Sequence, residues 1–162
     1  MSAMKRLVDE GMIKFIGVSN FDVTQLMEAQ HALKKYRIAC NQVLYHLGFR
    51  GIERHLLPYC AKNEIAIAGY SPFGHGNFPS PKDGAGKVLA EIAKRQNRTL
   101  RQVVLNFLTR DSNLFTIPKA ADPDHVKDNS DAVGNWNLTD EDIAAINRVF
   151  PLPGADKPLE MI

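Results

Sequence analysis

Along this chain, short apolar runs take turns with stripes of apolar residues spaced three and four apart, the signatures of buried strands and amphipathic helices. The first ten residues, MSAMKRLVDE, place Met4, Leu7 and Val8 at helical spacing and reach Gly11, a helix stop. The chain is therefore expected to open in mid-helix. The run IKFIGV (13–18) predicts a strand, after which Asp22 caps a helix over 23–36 with the stripe Val23, Leu26, Met27 and Leu33. A second strand, IACNQVLY (38–45), leads through Gly48 and Gly51 into a helical pattern over 52–64, where Pro58 demands a kink or a late start. The third strand, IAIAGY (65–70), enters a loop rich in proline, glycine and serine from Ser71 to Gly86. Two helices follow, over 87–97 and, capped by Thr99, over 100–111; LFTIP (114–118) is the fourth strand. Asp122-Pro123 opens a helix over 123–133, a cap followed by proline at the first helical position. The last helix starts at Thr139, with Asp142 making an imperfect capping box and Ile143, Ile146 and Val149 its stripe. The tail PLPGADKPLEMI is expected to wrap a surface.

Strands that are near-continuous apolar runs, each followed by a helix, predict a parallel α/β sheet buried on both faces. Four such units are either an open sheet or half of a closed (β/α) barrel, which needs eight. At 162 residues with 44% hydrophobic, one domain over 1–162 is expected.

Charge narrows the partners. Twenty basic and 18 acidic residues are spread along the chain for a net +2, so neither nucleic acid nor a membrane surface is indicated. Cys40 and Cys60 belong to no disulfide or zinc spacing and read as reduced, buried thiols. With no signal-like start and no apolar run of about 18 residues, the expected location is cytoplasmic.

In parallel α/β folds, chemistry gathers at the carboxyl ends of strands. Those ends carry Ser19 and Asn20, Asn41 and Gln42, Tyr70 and Ser71, and Lys119. Hydroxyls and carboxamides that donate and accept at once suit an amide-bearing ligand such as nicotinamide; equally, they could cap the helices that follow. Tyr70 offers a face on which a flat heterocycle could stack, or is a core tyrosine with a wet hydroxyl. Gly74 and Gly76 in SPFGHG would let backbone N–H groups approach a phosphate. Lys119, His125 and Asn129 surround a helix N-terminus that could favour an anion, or form a solvated charged face. No GxGxxG or GxxxxGK[ST] occurs.

These residues assembled, the chain resembles the aldo-keto reductases. MKRLVDEGMIKFIGVSNF is similar to that family's mid-chain signature, and the likeness continues through NQVLYH, AGYSPFG, IPKA and LTDEDIAAIN. NQVLY…GIE…LLPYC and the PLEMI terminus look most like small bacterial members. The resemblance implies the second half of a (β/α)8 TIM barrel, carrying its strands five to eight. It implies NADPH, or NADH in its place, as cofactor: Ser19, Asn20 and Gln42 on the carboxamide, Tyr70 stacked on the ring, and Ser71, Phe73 and Gly74 along the pyrophosphate. Lys119, His125, Asp128 and Asn129 would enclose the adenosine and its 2′-phosphate. Two positions depart from the family: Ala120 stands for the usual serine or threonine, and His125 for the usual arginine.

The implied activity is reduction of a small aldehyde or ketone to an alcohol. The family's catalytic tyrosine, lysine, aspartate and histidine all come from the other half of the barrel, so no catalytic residue is expected here and the isolated chain should be inactive. Tyr45 and His46 are not expected to substitute, because adjacent strand residues point to opposite faces. The alternative is a non-catalytic half-barrel that binds or self-assembles, as a homodimer through its exposed strand edges.

Overall fold

The computed structural model describes residues 1–155 and 158–162. The chain runs α1 (Ser2–Asp9), β1 (Ile16–Ser19), α2 (Val23–Leu33), β2 (Ile38–Leu44), a 3₁₀ turn (Gly51–Glu53), α3 (Leu56–Lys62), β3 (Ala66–Tyr70), α4 (Gly84–Gln96), α5 (Leu100–Leu108), β4 (Leu114–Ile117), α6 (Pro123–Ser130) and α7 (Asp140–Val149). All strand pairs are parallel, in the order β1-β2-β3-β4. A sequential order with no reversal is the winding of a barrel rather than of a doubly wound sheet, whose order reverses at a switch point. Right-handed crossovers then set the helices on one side.

That side is the core. Ile16, Val43, Ile67 and Leu114 are buried against Leu26, Leu33, Leu89, Val103 and Phe107. The opposite face is open, which corrects the expectation of burial on both sides. Its residues form rows across the sheet: Ser19, Gln42, Ala68 and Phe115 in one, and Leu44, Tyr70 and Ile117 in the next. Phe115 is 57% exposed and Ile117 47%. Cys40 belongs to this face and is only half-buried, whereas Cys60 is fully buried, its thiol pushed up to about 12 by burial.

Element ends differ from the periodic pattern for local reasons. β1 starts at Ile16 rather than residue 13, because its partner β2 begins opposite it at Ile38. α2 stops at Leu33 because Lys34 turns into positive φ and Gln30 draws the chain into β2, its carboxamide bonded to Tyr36 O at 2.7 Å and Ile38 N at 3.2 Å. The buried stripe of α2 is Leu26, Ala29 and Leu33, and Met27 is exposed. α3 starts late, so Pro58 falls in the first turn, where no N–H bond is lost. α4 starts three residues earlier than the pattern suggests, capped by Asp83. α5 and α6 end earlier than expected, at Leu108 and Ser130. The Thr139–Asp142 box is complete, each side chain bonding the other's backbone N–H. Of the tail, Leu159 packs on the core and the Phe150 and Pro153 carbonyls accept from Arg50 and Arg54; residues 156–157 lie outside the described residues.

One ion cluster is sealed into the interior. Glu53 accepts two bonds from Arg50 and one each from Arg110 and the Tyr45 hydroxyl, all at 2.7 Å. Both guanidiniums lie against the Phe107 ring, at 4.9 and 4.2 Å.

Candidate functional site

At the carboxyl end of β1 the backbone leaves the sheet through Asn20, whose φ of 58° is the left-handed conformation that asparagine tolerates better than most residues. The Gln42 carbonyl stabilises that exit by accepting from Asn20 N at 2.8 Å and Ser19 Oγ at 3.0 Å. Two neighbouring carboxamides then divide their work by strand alternation. Asn41 points to the core, fully buried, and holds Phe21 through both its N–H and its carbonyl, at 3.3 and 2.7 Å. Gln42 points to the open face, exposed, with no bond to its carboxamide. Asn41 is thus a structural staple and Gln42 a free group.

Tyr70, at the end of β3, donates its hydroxyl to Asn20 Oδ1 at 3.3 Å. This bond links the end of β1 to the end of β3 across β2. Ser19, Asn20, Gln42 and Tyr70 therefore form one group, with the Asn20 and Gln42 amide N–H groups and Ser19 lone pairs unspent. Beyond Tyr70 the chain turns twice, Gly74 N donating to Ser71 O at 2.9 Å and Asn77 N to Gly74 O at 3.0 Å, with Ser71 and Gly74 both at positive φ. Phe73 stacks edge-on with Phe78, and the Arg101 guanidinium lies 4.7 and 5.2 Å from the two rings. Sequence reasoning missed Arg101, since nothing local links a residue of α5 to this loop.

Register puts Ile117 beside Tyr70, so Lys119 and α6 follow next to the Ser71 turn. Lys119 and His125 are exposed, Asp128 and Asn129 half-buried. Asp128 accepts from the Thr99 hydroxyl at 3.1 and 3.2 Å. A cavity of about 830 Å³ opens between the β1–α2 loop, the β2–α3 loop and the tail, with Asn20 and Leu44 on its wall and Pro151, Pro153 and Leu159 opposite. Tyr45 cannot serve chemistry there: burial and then the Glu53 charge push its hydroxyl far above the usual tyrosine range, and it is fully enclosed. His46 is held low by burial, its Nδ1 accepting from Gly48 N at 3.1 Å. Among the described residues no cluster could hold a metal ion, and no helix is long and apolar enough to cross a membrane.

Residues 1–150 match the sequence profile of the aldo/keto reductase family. The chain belongs to that family. Methylglyoxal reductase YeaE of Escherichia coli is 35% identical over 162 residues, spanning 100% of this chain and 57% of that protein. An aldo-keto reductase from Klebsiella pneumoniae solved with NADPH superposes with a TM-score of 0.85 at 33% identity, over 99% of this chain and 56% of that one. The thermostable aldo-keto reductase Tm1743, bound to the inhibitor epalrestat, gives 0.82 at 36% identity, over 91% and 53%. This aldo/keto reductase chain thus spans about half the length of the relatives it matches, which agrees with a four-stranded half-barrel.

Proposed function

We propose that this chain is the dinucleotide-binding half of an aldo/keto reductase that reduces small aldehydes or ketones in the cytoplasm. The observation that carries the proposal is the Ser19, Asn20, Gln42 and Tyr70 group at adjoining strand ends, with its side-chain amide N–H groups free and its tyrosine ring beside them. It fits a nicotinamide: Asn20 and Gln42 donate to the carboxamide oxygen, Ser19 and the Gln42 oxygen accept from its amine, and the Tyr70 ring supports the heterocycle. Ser71, Phe73 and Gly74 would line the pyrophosphate, and Lys119, His125, Asp128 and Asn129 the adenosine. When bound, the reduced dinucleotide supplies the hydride. The proton that completes the alcohol has no donor in this group, because the Tyr70 hydroxyl is spent on Asn20 and Tyr45 is sealed in the core.

Two results are therefore expected from the purified chain: saturable binding of NADPH or NADH, read by quenching of its single tryptophan, Trp136, and no carbonyl-dependent oxidation of either. Turnover would refute the placement of the proton donor outside this chain. Absence of binding would refute the dinucleotide site itself.

A second reading has its own observation. The open face exposes Phe115 and Ile117, and the outer strands β1 and β4, of four residues each, have free edges. Two copies could pair β1 with the partner's β4 about a twofold axis and bury that face. Light scattering at micromolar concentration is expected to give the mass of a dimer under this reading, and a strict monomer rejects it.

A further inference from the structure

The loop that leaves β3 is fastened at its two ends and bare of hydrogen bonds to its surroundings in between. Its near end turns through Ser71 and Gly74, and its far end is closed by Asp83, whose bonds reach only Ser80 and the start of α4. Among the described residues, no hydrogen bond joins 72–79 to another element. Gly74 and Gly76 both stand at positive φ, and glycine takes either sign at little cost, so the backbone alone does not choose this path.

Side chains choose it. Phe78 packs on the core and meets Phe73 edge-on at 5.6 Å. Arg101, in the first turn of α5, lays its guanidinium against both rings, 4.7 Å from Phe73 and 5.2 Å from Phe78. Its N–H groups make no hydrogen bond or ion pair among the described residues, so the two rings are what hold it in place. The same turn of α5 also holds α6: the Thr99 hydroxyl donates to the Asp128 carboxylate at 3.1 Å, and Gln102 Nε2 to Asp128 O at 3.2 Å.

We propose that Arg101 is a positioning residue for the dinucleotide, acting on it through Phe73 and Phe78, which it clamps to α5. The inference rests on the proposed placement of the pyrophosphate along Ser71, Phe73 and Gly74 and of the adenosine beside α6. One helical turn then sets both walls of the groove, the loop through Arg101 and α6 through Thr99 and Gln102. A guanidinium suits this task better than an ammonium, because it is planar and more weakly hydrated and so stacks on aromatic faces. A loop already held in place also costs a ligand less to bind than one that must first be ordered.

The test is calorimetric titration of the full chain with NADPH, alongside backbone hydrogen exchange of the free protein. Arg101→Met keeps the apolar stem and removes the cation. Arg101 is exposed, so the variant should melt at the wild-type temperature. Exchange is expected to quicken at Gly74 and Asn77, the bonded amides of this stretch, and not in the strands. NADPH should bind roughly fivefold more weakly, the scale of two cation–π contacts at a surface. Arg101→Lys should recover part of the loss. Phe78→Leu should weaken NADPH by a similar factor, and combining it with Arg101→Met should weaken it no further, since both remove one clamp. Unchanged NADPH binding by Arg101→Met overturns the inference and leaves the dinucleotide site standing. Losses that multiply in the double variant, with a salt dependence flattened by Arg101→Met alone, assign Arg101 to the phosphate itself and equally overturn it. Absence of NADPH binding by the wild type overturns the dinucleotide reading, and this inference with it.

Discussion

Glu53→Gln is expected to cost the fold roughly 3–5 kcal/mol, the scale of removing one partner from a buried ion pair. Glu53 is only 7% exposed, and the Arg50 beside it 2%. Its two oxygens serve Arg50, Arg110 and Tyr45 at once, so a glutamine would turn an amide N–H donor towards a guanidinium donor and leave both buried groups unmatched. For a chain of this size the melting temperature should fall by about 10 °C. Glu64→Gln is the control, because its pair with Arg37 is 76% and 65% exposed and solvent already screens it. The pH dependence has a defined sign. Burial alone would raise the Glu53 carboxyl, but the Arg50 bond, the Arg110 charge and the Tyr45 bond outweigh it and hold the group below the usual glutamate range. A lowered folded value means stability that is fully present above the unfolded value of about 4.3 and lost as pH falls through the folded one. Acid melts of the wild type should therefore steepen below about pH 4, and Glu53→Gln should flatten that limb. An unchanged melting temperature and acid limb would mean that the cluster contributes nothing.

The strands and the helix caps were legible because each is written locally: Asp22, Thr99 and Thr139 all cap as their positions suggest. Facing was less so. Spacing shows how wide the α2 stripe is but not which side the sheet will meet, and Ala29 rather than Met27 fills that side. Alternation separates Asn41 from Gln42 but does not say which of the two turns into the core, and on that choice one becomes a staple and the other a free amide. The Glu53 cluster was hidden altogether. Arg110 lies 57 positions from Glu53, and in sequence the two belong to separate helical patterns with nothing to link them. Of the candidate site, the residue types at strand ends were visible, whereas the Tyr70–Asn20 bond exists only once strands are in register.

Gly86→Ala is the second large effect, an expected loss of about 3 kcal/mol from overpacking together with a lost helix cap. A β-carbon at Gly86 would stand 1.7 Å from the Ser80 carbonyl oxygen and 2.4 Å from its carbon, distances that no rotamer change relieves because both atoms are backbone. Nor can Ser80 retreat freely. Its carbonyl accepts from Asp83 N at 3.1 Å, and the Asp83 carboxylate in turn holds Ser80 N at 3.0 Å and Gly86 N at 2.6 Å. The methyl must break this latch, and with it the start of α4. Gly84→Ala, two residues earlier on the same helix with nothing within 4 Å of its β-carbon, should melt at or slightly above the wild type, since alanine is the better helix former. The contrast reaches the candidate site, because residues 80–86 anchor the far end of the loop that carries Ser71, Phe73 and Gly74. Gly86→Ala is therefore expected to weaken dinucleotide binding along with stability, while Gly84→Ala changes neither for the worse. Equal melting temperatures for the two variants would show that the loop yields without cost, and would remove the latch as a reason for its shape.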